Sequence, residues 1–386
     1  MKNRYLYVTL LAMLALSMQA QQKGSRPRLV VNITIDQLRN DYPSIFDDGL
    51  IYEQGFYPYN DIDLSSAISS VVTGTSPFYH TVVADKWLDR HSLQPVVATP
   101  DDIAVSTLAD ELKMATHGAG RTCAVATKKE TAAMLSGHQA DRLVWQDDKR
   151  KKWDATYLTT KALQLIVEER LGLDTIPDIL YLHYEKSDYH SALTQLVAEV
   201  QRLVGREHAL FVLTSTGYSD VNTDEYARYH IPTGIYYTNR TANLLNMYLG
   251  ALWGQGKYVD GVCRNHIYLN HQLLEQKRIA LSEAVQKAQE FLLQMTGVKR
   301  VHTHLYETHM GDLVVEIAPG WQLQNDGTHE QIKTKQPIAY FPIIFYGANV
   351  PAKKVQAPVS IERIAPTISK AIRIRAPNAC MTAPLF

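Results

Sequence analysis

Short apolar runs alternate along this chain with stretches in which apolar residues recur three and four apart, the texture of strands interleaved with amphipathic helices. The run 28–36, Arg-Leu-Val-Val-Asn-Ile-Thr-Ile-Asp, is mostly apolar, rich in β-branched residues and stops at an acid, which predicts a strand buried on both faces. Comparable runs stand at 122–126, 178–184, 209–214, 312–317 and 342–346, with helical spacing at 104–114, 157–170 and 191–204. The alternation predicts an α/β layered fold with a mainly parallel central sheet. Ligands of such sheets gather at the carboxyl ends of strands, so Asp36 stands where chemistry is usually done.

The texture changes at 240–298. Leu244, Leu245, Tyr248, Leu249 and Leu252 have helical spacing, and 282–295 predicts a second helix that Ser282 can cap. Gly254, Gly256 and Gly261 break the pattern before a strand at 266–269. This segment is expected to be a small inserted subdomain carried on the sheet. A strand at 341–347 and a helix at 361–372 are expected to close the fold, and no internal repeat is present.

Composition narrows the partners. The 386 residues carry 39 basic and 39 acidic side chains, so no electrostatic case exists for nucleic acid or an anionic membrane surface. Three cysteines exclude a disulfide-dense scaffold. Residues 1–20 begin with Lys2 and Arg4, continue through an apolar stretch and end in Ser-Met-Gln-Ala, the pattern of a signal peptide too short to span a bilayer. The mature domain, 26–385, is therefore expected to be exported, to a periplasm or beyond, and not to span a membrane.

Several segments, in order, carry a family likeness. They are Val-Asn-Ile-Thr-Ile-Asp-Gln at 31–37, Ser-Val-Val-Thr-Gly-Thr-Ser-Pro at 70–77 with His80, Trp87-Leu-Asp-Arg90, and Ala126-Thr-Lys-Lys with Gly137-His138. Leu244-Leu-Asn-Met-Tyr-Leu, Gly254-Gln-Gly-Lys, Gly311-Asp-Leu-Val-Val, Phe341-Pro-Ile-Ile-Phe-Tyr-Gly and Ile364-Ala-Pro-Thr-Ile follow. Together they resemble the alkaline phosphatase superfamily, specifically its type I phosphodiesterase and nucleotide pyrophosphatase branch with the phosphate-irrepressible phosphatases. The resemblance implies an alkaline-phosphatase-like layered fold over residues 28–385. It also implies a site in which two zinc ions clamp a phosphate or sulfate ester while a Thr or Ser attacks.

Matched residue by residue, much of that site is missing. Asp36 fits the first metal-binding acid. The nucleophile position, ten residues before Gly74, falls on Leu64, with Ser65 a weak substitute one residue along; Ser66 and Ile68 replace the expected Pro and His. Asp188 fits a second metal acid, but the Gly-His that should follow is absent and His190 stands two residues on. Where Thr-Ala-Asp-His-Gly is expected, the chain reads Thr214-Ser215-Thr216-Gly217-Tyr218, so both ligands are gone. His329 fits the last metal histidine. Lys128 is the remnant of the phosphate-binding pair, Glu130 replaces its Arg, and Asp85 replaces an Asn. An acid there repels an anionic ester.

Other constellations are weaker. His302, His304 and His309 with Glu307 are expected to be solvent-facing side chains rather than a metal site, Gly254-Gln-Gly-Lys lacks the spacing of a phosphate loop, and Cys123 is expected in the core. Cys263 and Cys380 can pair in an oxidising compartment. The resulting expectation is an exported homologue without catalytic activity or cofactor, acting as a binding or accessory protein for an unknown protein or small anionic ligand. The alternative is a zinc-dependent phosphomonoesterase or phosphodiesterase with a rearranged or single-zinc site from Asp36, Asp188, His190 and His329. A third reading is an anion or glycan binder using Lys128 and a Tyr-rich face.

Overall fold

The computed structural model describes residues 26–147, 153–185, 188–220, 226, 228–304, 309–327, 331–332, 335–348 and 350–386. The expected signal peptide lies outside them. The central sheet has nine strands: β1 Leu29–Ile35, β2 Leu50–Phe56, β3 Thr122–Val125, β4 Arg142–Val144, β5 Asp178–Tyr184, β6 Ala209–Ser215, β7 Phe341–Gly347, β8 Lys353–Val355 and β9 Val359–Ser360. Their order is β8-β2-β7-β6-β1-β5-β3-β4, with β9 beside β2. β1 lies at the centre, parallel to both neighbours, with Asn32 opposite Tyr181 and Val212. All seven of its residues are buried, as the apolar run predicts. β7 runs antiparallel to β6 and β2, so the sheet is mostly parallel rather than wholly so.

Helices α1 Leu64–Thr73, α2 Leu108–Ala115, α3 Lys129–Ser136, α4 Ala155–Glu168, α5 His190–Val204, α6 Thr238–Trp253, α7 Leu281–Leu292 and α8 Ile364–Ile372 complete the framework. Val30, Tyr181, Leu210 and Val212 share one core with Ile68 and Val71 of α1, Leu108 and Leu112 of α2, Leu135 of α3 and Ile368 of α8. On the opposite face, Val31, Ile33 and Ile35 pack against Leu158 and Leu165 of α4 and Leu193, Leu196 and Val197 of α5. Each strand residue thus finds apolar partners on its own side. α2 begins at Leu108 rather than 104, because Thr107 caps it: Asp110 accepts from the Thr107 N–H at 2.7 Å.

The run at 312–317 forms strand Leu313–Ile317 of a separate antiparallel sheet with Val259–Cys263, His266–Leu269 and Val298–Thr303. A third core, from Tyr236 to Leu323, joins that sheet to α6 and α7 and takes in residues on both sides of 240–298. Ser282 is not the cap of α7; Ala280 occupies that position. No disulfide joins Cys263 to Cys380: the Cys263 sulfur lies 3.7 Å from the Lys86 carbonyl, and Cys380 lies beside Thr382. Among the described residues no helix is long and apolar enough to cross a membrane.

Candidate functional site

The carboxyl edge of the sheet assembles the site. β1 delivers Asp36, whose N–H donates to the Tyr184 carbonyl at 2.9 Å. β6 continues into Thr216, Gly217 and Tyr218, and Thr216 donates its N–H back to Ile35 at 3.1 Å. Gly217 has φ 78°, and a Cβ on it would lie 2.3 Å from the Tyr57 ring, so this reversal requires glycine. It lets the Thr216 and Tyr218 hydroxyls both donate to Asp36 Oδ1, at 3.0 and 3.1 Å. His183 Nε2 lies 3.7 Å from the same oxygen, while its Nδ1 meets the Thr34 hydroxyl at 3.1 Å. Burial works to raise the Asp36 carboxyl, but His183, Thr216 and Tyr218 outweigh it and hold the carboxyl below its ordinary value.

Beside this cluster stands the N-terminus of α1. Asp63 is its cap residue and Leu64 its first helical residue, half-buried against the main core. The Ser65 N–H donates to Asp85 Oδ1 at 2.8 Å, and the Asp85 N–H donates to Asp63 Oδ2 at 3.0 Å. Two carboxylates therefore occupy the positive end of the helix, the place where a free N-terminus would attract an anion. Both carry fixed cations. Lys335 Nζ lies 2.5 Å from Asp63 and 3.5 Å from Asp85, and 4.1 Å over the Tyr218 ring. Arg264 binds Asp63 directly and lies 3.9 Å from Asp85. Burial lowers the Lys335 ammonium, and Asp85 opposes that fall.

A zinc pair needs several donors with open lone pairs converging on each ion. Here Asp36 Oδ1 already takes two hydroxyl protons, and Asp63 and Asp85 are taken by a lysine, an arginine and backbone amides. Among the described residues, no three His, Cys, Asp or Glu side chains converge as metal donors. The described residues do not fit the two-metal centre that the resemblance implies. Leu64 offers no oxygen, and the neighbouring Ser65 contributes its backbone amide to Asp85.

The remaining sequence candidates are dispersed. Asp188 and His190 are exposed, with the His190 ring stacked on Tyr189 at the start of α5. Lys128 and Glu130 are exposed at the start of α3. Among the described residues no hydrogen bond or ion pair joins Asp188, His190 or Lys128 to Asp36. His329 and Glu307 lie outside the described residues. His302 pairs with Glu316 at 3.3 Å, and His309 stacks on Trp87 with centroids 4.7 Å apart. Cys123 is buried and its thiol is pushed up to about 12, in keeping with a core residue. Sequence reasoning missed Asp63, His183, Arg264 and Lys335. Asp63, preceding a run of small residues, carried a cap signal; Arg264 and Lys335 sit in unremarkable polar segments.

No family model matches the chain. It is 26% identical over 191 residues to alkaline phosphatase PhoV of Synechococcus elongatus, which is 38% of this chain and 35% of the relative. Alkaline phosphatase PafA of Elizabethkingia meningoseptica is 26% identical over 175 residues, 36% of this chain and 31% of that relative. The aligned region thus spans about a third of the length of these curated relatives. Among solved structures, wild-type alkaline phosphatase PafA superposes with a TM-score of 0.79 at 15% identity, covering 93% of this chain and 98% of that one. Human ectonucleotide pyrophosphatase/phosphodiesterase 5 gives 0.63 at 11% identity, covering 90% and 95%. These structural likenesses bear on the fold.

Proposed function

We propose that this chain is an exported binding or accessory member of the alkaline phosphatase superfamily that keeps the fold without two-metal ester hydrolysis, a reading supported by its likeness to alkaline phosphatases PhoV and PafA. One observation carries this reading: among the described residues, the carboxylates Asp36, Asp63 and Asp85 at the carboxyl edge each take their partners from within the chain. Lys335 and Arg264 neutralise Asp63 and Asp85, and Asp85 takes an amide proton at the helix N-terminus. Thr216, standing where the resemblance places a metal-binding Asp, and Tyr218, two residues on past the Gly217 that stands at the His position, give Asp36 hydroxyl protons instead. A side-chain ammonium balances carboxylates as a bound cation would, but it cannot activate an oxygen nucleophile as a metal does.

Metal analysis by mass spectrometry on the purified protein, run beside assays with an aryl phosphate monoester and diester, tests the reading. The expected result is far less than one zinc per chain and hydrolysis at background. A tightly held zinc in every chain, with turnover abolished by chelator, would establish the rearranged-site alternative instead. Fractionation of cells producing the tagged full chain tests export, expected as a shortened protein outside the cytoplasm.

A further inference from the structure

A cavity of about 430 Å³ opens between the 60–62 loop, strand Lys335–Pro337 and the edge of the four-stranded sheet. That size falls within the roughly 300–1,000 Å³ of small-molecule sites. Arg264 and Lys335 reach it, but both are already held by Asp63 and Asp85. The uncompensated charge lies on another wall, along strand Val298–Thr303. Lys299 and His302 share one carboxylate, Glu316, at 2.6 and 3.3 Å. Arg300 stands between them, exposed, and no carboxylate among the described residues pairs with it. Asp61, also lining the cavity, is engaged by His266 at 2.9 Å. Lys299 and Arg300 thus face one wall carboxylate, Glu316, which Lys299 already holds, and an anion would give Arg300 its partner. Asn60 adds an amide of the kind that meets hydroxyl groups, as do the lone pairs and protons left on Asn265, which donates to the Val315 carbonyl, and on Gln336, which pairs with the Tyr226 hydroxyl, beside apolar surface from Ile317 and Leu323.

We propose that this cavity binds a sugar-sized organic anion, its charged group on Arg300 and its hydroxyls toward the amides. The proposal rests on the reading that the protein binds rather than hydrolyses, and it moves the anion site from Lys128 to Arg300. Carboxylate and phosphate share the recognising chemistry, so the test carries both. Thermal shift and calorimetry on the full chain would use D-glucuronate, glucose 6-phosphate, inorganic phosphate and neutral glucose, with wild type and the exposed-residue variant Arg300→Gln. Stabilisation by either sugar anion, absent with glucose, weaker with inorganic phosphate and reduced at least fivefold in affinity by Arg300→Gln, is expected. No response to either sugar anion, an undiminished response in the variant, or an equal response to inorganic phosphate would overturn the proposal. Release of phosphate from glucose 6-phosphate, alongside Arg300-dependent binding, would uphold the cavity while overturning the non-catalytic reading.

Discussion

Thr216 and Tyr218 each give a proton to one oxygen of Asp36, so the carboxylate is stabilised by side chains that came from the same tight reversal after β6. Tyr218→Phe removes one donor and is expected to cost about 1 kcal/mol, read as a fall in the urea midpoint near neutral pH. Because the Asp36 carboxyl sits below its ordinary 3.8, its contribution to stability is complete above that pH and is lost as acid protonates it in the folded state. The cost of Tyr218→Phe should therefore shrink as pH falls below about 4, and a constant cost would argue against the pairing. Leu64→Thr returns a hydroxyl to the attack position but no donors for a metal pair. It is expected to leave aryl phosphate hydrolysis at background; zinc-dependent turnover in that variant would show that the metal centre had survived.

At the scale of elements, α1 is held from both ends. Its C-terminal Gly74 has φ 69°, and a Cβ there would lie 3.0 Å from the Cys380 sulfur and the Glu362 carbonyl. Gly74→Ala is expected to cost about 1–2 kcal/mol in a chemical unfolding titration, from left-handed backbone strain and crowding. α1 also packs through a buried polar chain. The Val82 N–H donates to His80 Nδ1 at 3.2 Å, so His80 Nε2–H donates to Ser70 Oγ at 2.9 Å, and Tyr59 lies 2.8 Å from that oxygen. The imidazole is a donor to the serine, so this Ser-His pair is not a nucleophile and its base. Burial pushes His80 down to about 3, which means its stabilising neutral form is fully effective above pH 6.5 and its contribution erodes as pH falls toward 3. The wild type should lose on the order of a few kcal/mol more than His80→Gln between pH 7 and 4, measured by urea midpoints. Parallel slopes would remove His80 from the explanation. Strand β2 escaped the sequence reading because Glu53 and Gln54 interrupt its apolar run, and its place beside β7, β8 and β9 is set by long-range pairing.

Across the whole molecule, charge buried at Asp312 ties the third core to the small hairpin Lys86–Leu88 with Pro95–Val97, whose Trp87 belongs to the main core. Asp312, 2% exposed, accepts from Arg90 at 3.1 Å, His271 at 2.8 Å and the Leu269 N–H at 2.6 Å. Arg90 follows the short strand Lys86–Leu88 and also covers the Tyr268 ring. Asp312→Asn leaves this arginine without its carboxylate and is expected to cost about 3 kcal/mol, with faster hydrogen exchange in 259–269 and 298–317 than in β1 or β6. Uniform acceleration would mean that the junction is not a separate hinge of stability. The buried β1 and the helices α4 and α5 were legible in the chain, because burial periodicity is a local property written residue by residue. That Asp85 would accept the Ser65 amide proton at the start of α1, that Lys335 and Arg264 would neutralise it and Asp63, and that Arg300 would stand over a cavity without a carboxylate partner among the described residues were decided by folding. The pairings of Lys335 and Arg264 with Asp63 and Asp85 join residues 179 (Asp85 to Arg264) to 272 (Asp63 to Lys335) positions apart, and no local pattern records which distant cation a carboxylate will meet.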